Sequence, residues 1–116
     1  MTITRYQPGK RMSQAVAHGN TVYLAGQVAA DYNGRVEKQT TEVLAAIDKL
    51  LAEAGTSKSK VLSCQVILNN IGDFAAMNSV YDTWIDPANP PARACIEASL
   101  AHPALKVEII AIAALD

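Results

Sequence analysis

Arg93 is the residue of this sequence whose surroundings best suit the binding of an anion. It lies in segment 89–95, where consecutive prolines fix an extended backbone that leads into a strand. Alternation along that strand places Arg93 and Cys95 on one face, and a buried arginine needs a partner because an isolated buried charge is unfavourable. Its planar guanidinium matches a carboxylate through two parallel hydrogen bonds. The pattern therefore leaves three interpretations open: Arg93 binds a ligand carboxylate, forms a salt bridge to Glu97 or Glu108, or is simply exposed at the end of a strand.

Glu108 is the second candidate, because it interrupts the apolar run 105–115. We expect a carboxylate on the face that it shares with Ile110 to be partly desolvated, an environment that suits a general base. The alternative is that Glu108 pairs with Lys106 or Arg93 near the edge of the strand. The pattern alone does not choose between these two interpretations.

Cys95 and Gly26 are weaker candidates for a functional site than Arg93 and Glu108. A nucleophilic cysteine needs an activating base, and no histidine stands near Cys95 in the sequence, so a small buried residue is the favoured interpretation, with its backbone available to a ligand. Gly26 interrupts an apolar strand pattern, where a glycine allows close approach of a ligand or another backbone. A β-bulge is the alternative interpretation of Gly26.

The cysteines and histidines, which are the usual ligands of a zinc site, are isolated from one another in the sequence. No two cysteines or histidines have metal-site spacing, so we expect no metal; glycine-rich nucleotide-binding motifs and the Gly-x-Ser-x-Gly elbow are also absent. The residues concerned are Cys64, Cys95, His18 and His102.

Composition narrows the class of protein. The chain has 116 residues, which is the size of one domain spanning 1–116, and its net charge of −1 lacks the basic stripe of a nucleic-acid binder. It has no apolar leader and no apolar run of about 20 residues, so we expect a cytoplasmic protein without a membrane partner. Only 18% of its residues are charged, against about 25% usually, which favours a homo-oligomer.

Hydrophobic periodicity predicts two helices and five strands. One apolar stripe recurs at steps of three and four over 43–54, with Thr40 or Thr41 as the expected cap. A second stripe over 74–84 follows Asp73, a favourable N-cap residue. Strands are predicted at 14–18, 21–28, 60–69, 92–100 and 105–115.

This order predicts an α+β domain with one sheet and both helices packed on one face. The last predicted strand carries apolar residues on both of its faces. Two helices cover one face only, so we expect a neighbouring subunit to cover the other.

With these features in place, the chain resembles the Rid family (reactive intermediate deaminases, also called YjgF-like) over nearly its full length. No single segment is specific, but together they are. The segments are Ser13-Gln14-Ala15-Val16, Ala25-Gly26-Gln27-Val28, Asp73-Phe74-Ala75-Ala76-Met77-Asn78, Pro91-Ala92-Arg93-Ala94-Cys95-Ile96-Glu97, Lys106-Val107-Glu108-Ile109 and Ala111-Ile112-Ala113-Ala114.

The resemblance implies a chorismate-mutase-like fold with a mixed sheet, assembled as a homotrimer with ligand clefts between subunits. It implies that Arg93 binds the substrate carboxylate, that Cys95 supplies backbone contacts and that Glu108 positions or activates water. Gly26 and Asn78 match family positions near the cleft. The implied reaction is hydrolysis of 2-imino or 2-enamino acids to 2-keto acids and ammonia, without a cofactor.

Three positions depart from the family pattern. Met12 stands where characterised deaminases have tyrosine, Ala25 where serine is common, and Pro90 where an aromatic residue is frequent. The wall of the pocket therefore differs, as in a divergent branch of the family. These departures keep open a non-enzymatic trimer that senses small carboxylates. Endoribonuclease activity, a third label found in the family, is favoured least because no basic surface and no His/Lys acid–base pair is evident.

Overall fold

The computed structural model describes residues 1–116, in which three strands precede a helix, a strand, a second helix and two further strands. Short 3-10 turns at Lys58–Lys60 and Ile71–Asp73 lead into the fourth strand and the second helix. The elements are β1 (Ile3–Tyr6), β2 (Ala15–His18), β3 (Thr21–Leu24), α1 (Val36–Glu53), β4 (Val61–Leu68), α2 (Phe74–Trp84), β5 (Ala92–Glu97) and β6 (Val107–Ala114).

The six strands form one mixed sheet in the order β1-β2-β3-β6-β4-β5. β4 and β5 run parallel, and all other neighbours are antiparallel. Both helices pack against one face, where a continuous core joins them to the sheet. The predicted α+β domain is therefore confirmed, with β6 inside the sheet and β5 at its edge.

The two helices form where the apolar stripes predict them, and their starts differ. The stripe of α1 is buried, and Gly55 follows it in the left-handed conformation (φ 86°) that ends a helix. The prediction that Thr40 or Thr41 caps α1 is wrong, because the helix begins at Val36 and both threonines lie inside it. Asp73 occupies the N-cap position of α2 without a capping hydrogen bond from its side chain.

One strand was missed, and two strands end at least three residues earlier than predicted. β1 was not predicted, because only four residues form it and most of them are exposed, so it has no apolar alternation. β3 ends at Leu24 instead of Val28, and β5 ends at Glu97 instead of Leu100.

The second face of the sheet carries no helix. Residues paired across neighbouring strands share a face, so the pairing identifies which side chains point away from the helices. Many of them are apolar and only half-buried or exposed, as predicted for the last strand. We call this surface the open face and define it by Val16, Tyr23, Ile67, Ile96, Ile110 and Ile112.

Gln39 joins α1 to the connection that precedes β6. It is fully buried, and its Nε2 donates to the carbonyls of Gly34 (3.0 Å) and Ala104 (3.1 Å). Its Oε1 accepts from the Lys106 backbone N–H at 2.9 Å. One amide therefore satisfies three backbone groups next to the strand that carries Glu108.

We expect Gln39→Leu, which nearly conserves volume, to lower the free energy of unfolding by several kcal/mol, since each stranded backbone group costs about 1–3 kcal/mol. Urea unfolding followed by circular dichroism measures the change. Thr41→Val is the control, because the Thr41 hydroxyl is exposed and bonds only to Glu37 of the same helix. A Gln39→Leu protein as stable as the control would contradict this role.

Candidate functional site

Arg93 points from the edge strand β5 to the helix side of the sheet. Its register partner Cys64 is a buried core residue, which fixes the face. The guanidinium donates from Nη1 to Asn78 Oδ1 at 2.7 Å. Its Cζ lies 4.7 Å from the ring centroid of Tyr81 and 5.7 Å from that of Phe74. Three side chains of α2 therefore surround the cation.

No carboxylate of the chain pairs with Arg93. The ion pairs of the structure all lie around the N-terminal end of α1. Glu97, one of the partners considered from the sequence, instead accepts a hydrogen bond from the Ile71 backbone N–H at 2.8 Å. The intrachain salt bridge is therefore excluded, and the remaining guanidinium N–H groups are available to a ligand.

A hollow of about 330 Å³ adjoins Arg93 at the β4–β5 edge. Hollows of about 350 Å³ at the start of α1 and about 420 Å³ beside Trp84 contain none of the predicted site residues. The hollow at Arg93 is lined by Ser63, Cys64, Gln65, Ala92, Arg93 and Ala94.

The two thiols near Arg93 favour their neutral form. Burial raises the pKa of the Cys64 thiol from 9.0 to about 11, against smaller lowering effects of Tyr81 and Arg93. Burial also raises the pKa of the half-buried Cys95, and the Arg93 charge opposes that shift. Neither cysteine is an activated thiolate, in agreement with the interpretation of Cys95 as a small packing residue.

Glu108 points to the open face, in one row with Ile67 and Ile96. It forms no ion pair, so its pairing with Lys106 or Arg93 within the chain is excluded. The carboxylate is half-buried and lies against Gly26.

Gly26 lies in a β-bulge, which was the alternative interpretation made from the sequence, and the group that approaches it closely is a side chain. Tyr23 pairs with Ile112 and Gln27 bridges to Ile109, so three residues on one strand oppose two on the other, which is a β-bulge. A Cβ at position 26 would lie 2.8 Å from Glu108 Cδ and nearer still to Oε2. The glycine therefore leaves the space that the carboxylate occupies.

The predicted site residues form two groups on opposite faces of the sheet. Arg93, Asn78 and Cys95 lie on the helix side near the β5 edge, while Glu108 and Gly26 lie on the open face. A single chain therefore does not bring Arg93 and Glu108 into one pocket.

The three departures from the family pattern lie outside these contacts. Met12 is 51% exposed, Pro90 is exposed, and Ala25 is half-buried, with its backbone N–H bound to the Gln14 carbonyl.

Sequence reasoning missed Phe74 and Tyr81 as neighbours of Arg93, having assigned both to the core stripe. Their spacing from Asn78, four residues before it and three after it, was the available signal.

The structure contains neither a cluster of metal-binding side chains nor a helix that could span a membrane. No group of three or more His, Cys, Asp or Glu side chains has an arrangement that could hold a metal ion. Neither helix has the length and hydrophobicity needed to span a bilayer.

The sequence profile of the family described as Endoribonuclease L-PSP matches residues 2–115. A RutC family protein of Haemophilus influenzae is 46% identical over 114 residues, covering 97% of this chain and 98% of that protein. A crystal structure described as a member of the YjgF protein family, from Neisseria meningitidis, superposes with a TM-score of 0.97 at 40% identity, covering 100% of this chain and 97% of that one.

A structure from Yersinia pestis, described as a protein of unknown function of the conserved Rid protein family, superposes with a TM-score of 0.86 at 30% identity. It is matched over 92% of this chain and 90% of that chain. The fold is thus that of a small α+β domain of the YjgF-like class. The chain belongs to the Endoribonuclease L-PSP (YjgF/Rid) family, which confirms the resemblance read from its motifs.

We expect Gly26→Ala to displace the Glu108 carboxylate, because the added methyl group occupies its position. The displaced atoms end a flexible side chain, so the free energy of unfolding should change by about 1 kcal/mol or less. A shift of the Glu108 δ-carbon resonance in carbon-13 NMR reports the displacement. Gly9→Ala is the control, since its nearest atom would be Met12 O at 3.6 Å. An unchanged Glu108 resonance in Gly26→Ala would refute the steric argument.

We expect alkaline pH to destabilise the protein through Cys64. Between pH 9.0 and about 11 the unfolded thiol ionises while the folded thiol keeps its proton. The stabilisation is therefore complete below pH 9.0 and is lost as the pH rises through about 11. Chemical unfolding at several pH values measures the slope, which Cys64→Ala should reduce more than Cys95→Ala does. Equal slopes in wild type and Cys64→Ala would contradict the assignment.

Proposed function

We propose that the protein hydrolyses 2-imino or 2-enamino acids to 2-keto acids and ammonia. The observation that carries the proposal is the state of Arg93, which Asn78 and two aromatic rings hold in place while no carboxylate of the chain neutralises it. A guanidinium fixed in this way suits bidentate recognition of a substrate carboxylate. Membership of the Rid family supports the same assignment.

This hydrolysis requires the protein to orient the substrate and to supply one general base that acts on water. The C=N carbon of an imino acid is already electrophilic, so no covalent nucleophile is needed. Water adds to the carbon of the protonated imine while Glu108 accepts a proton from the water, which gives a neutral carbinolamine. Glu108 then returns this proton to the amino nitrogen, the C–N bond breaks to release ammonia, and the hydroxyl group loses its proton to solvent as the C=O bond of the keto acid forms. Neutral thiols at Cys64 and Cys95 are compatible with a route that has no cysteine nucleophile.

The site proposed here combines two copies of the chain. Arg93 and Glu108 lie on opposite faces of one sheet, so a cleft using both takes the arginine from one subunit and the glutamate from its neighbour. The uncovered apolar open face and the low charged fraction of 18% support assembly through this surface. We propose the homotrimer implied by the family resemblance, with Cys95 lending backbone contacts and Gly26 leaving room beside Glu108.

Endoribonuclease activity is the competing assignment, because the family description and the names of two similar solved structures carry that term. The hollow beside Arg93 contains neither histidine nor lysine, and the chain has a net charge of −1. These features give RNA hydrolysis no His/Lys acid–base pair at this position and no extended basic surface for an RNA backbone. A ribonuclease assay on rigorously purified protein would overturn this judgement if Arg93→Ala abolished the activity.

We expect Arg93→Ala to lower kcat/KM by about a hundredfold, the loss of a charge-assisted hydrogen-bond pair. Glu108→Gln conserves shape but removes the base, and should lower kcat by about a hundredfold or more. The assay follows keto-acid formation from an imine generated in situ by an amino-acid oxidase. Arg35→Ala, an exposed arginine outside the site, is the matched control and should behave as wild type.

Mixing the two impaired variants tests whether the site is shared. Arg93→Ala and Glu108→Gln proteins, unfolded together and refolded as a mixture, form clefts that combine an intact Arg93 with an intact Glu108 from different copies. Activity should then exceed the sum of the separate variants. A mixture no more active than that sum would disprove the shared cleft, and tight keto-acid binding without turnover in wild type would establish a carboxylate-binding trimer instead of an enzyme.

A further inference from the structure

The face of α2 that meets β5 carries two aromatic rings whose contact with Arg93 the catalytic proposal does not use. Phe74 and Tyr81 flank Asn78 at spacings of four and three residues, so the three side chains share one side of the helix. Asn78 accepts a hydrogen bond from the Arg93 guanidinium, and the rings of Phe74 and Tyr81 lie beside the guanidinium.

The two rings differ in burial and in distance. Tyr81 is 6% exposed, and its ring centroid lies 4.7 Å from Arg93 Cζ. Phe74 is 41% exposed, and the corresponding distance is 5.7 Å. Both distances fall within the range of cation–π attraction, which is stronger where the ring is desolvated. Tyr81 should therefore contribute more than Phe74.

Tyr81 is itself held rigidly by its surroundings. Its ring packs against Trp84 with centroids 5.8 Å apart, and its hydroxyl neighbours the buried Cys64 thiol. Trp84 in turn donates from its indole N–H to Asp48 of α1 at 3.0 Å. The Tyr81 ring, fixed by these contacts, therefore limits the motion of the Arg93 side chain on the exposed edge strand β5.

We propose that Tyr81 and Phe74 are positioning residues, which hold the Arg93 guanidinium in the orientation that receives a ligand carboxylate. A free arginine at a strand edge samples many rotamers, and ordering it on binding would weaken affinity. The rings restrict it beforehand, and they favour arginine over lysine because a planar guanidinium stacks on an aromatic face. The ligand part of this inference rests on the proposed function, whereas the restriction of Arg93 does not.

NMR of the full-length protein tests the restriction without any ligand. In wild type, ring currents should displace the Arg93 Nε–Hε and Hδ resonances from their positions in a mobile arginine. Tyr81→Phe keeps the ring and should preserve this displacement, whereas Tyr81→Leu should abolish most of it. Phe74→Leu removes a largely exposed ring, leaves the core intact and should abolish the remainder. Displacements unchanged in both leucine variants would overturn the inference.

Calorimetry with pyruvate, a small 2-keto acid, tests the consequence for binding. Phe74→Leu should weaken binding about two- to fivefold and Tyr81→Leu about tenfold or more, with Tyr81→Phe close to wild type. In an Arg93→Ala background the same substitutions should have no further effect, because the rings act through the arginine. Equal losses in the two backgrounds would show a general structural effect and refute positioning.

The two proposals fail in distinguishable ways. A wild-type protein that binds no pyruvate and turns over no imine would sink the deaminase assignment, while the NMR displacements still decide whether the rings restrict Arg93. Normal turnover and binding in Phe74→Leu and Tyr81→Leu would instead remove the positioning role and leave the deaminase assignment standing.

Discussion

The alternation of side chains along β6 is the constraint on which the rest of the structure depends. Val107, Ile109, Ala111 and Ala113 point to the helices and are buried, so the intervening residues must point to the open face. A shift of one residue would bring Glu108 into the core and expose the apolar set. Because burying an unpaired carboxylate is unfavourable, the same pattern that packs the core also places Glu108 on the outer surface.

Strand pairing extends this alternation from β6 through β4 to β5, so it also fixes the face to which Arg93 points. Arg93 pairs with Cys64 and therefore points to the helix side, opposite to Glu108. Arg93 and Glu108 consequently belong to different surfaces of each copy, and any chemistry that uses both residues requires association. This arrangement links a property of composition, the shortage of charge, to the apolar open face and to the proposed cleft.

The sequence was sufficient where the physics is local or periodic. The apolar stripes predicted both helices, and the alternation in 105–115 predicted the two faces of β6. It was insufficient where contacts join distant segments. The start of α1 depends on Gln39 and its bonds to residues 104 and 106, and the surroundings of Arg93 depend on α2 packing against β5. β1 was not predicted, because it is defined by its backbone pairing with β2 and its residues show no apolar alternation.

The stripe of α2 serves stability and function at once, and its members do so to different degrees. Met77 and Trp84 are buried in the core, whereas Phe74 is largely exposed. Tyr81 stands between these extremes, since it packs in the core and also faces the guanidinium. Under the proposed positioning role, substitution of Tyr81 would change stability and ligand binding together, whereas substitution of Phe74 would separate the two effects, because its ring contacts Arg93 from outside the core cluster. An arginine at a strand edge can thus be held by a helix without being buried, which keeps its charge available to a ligand.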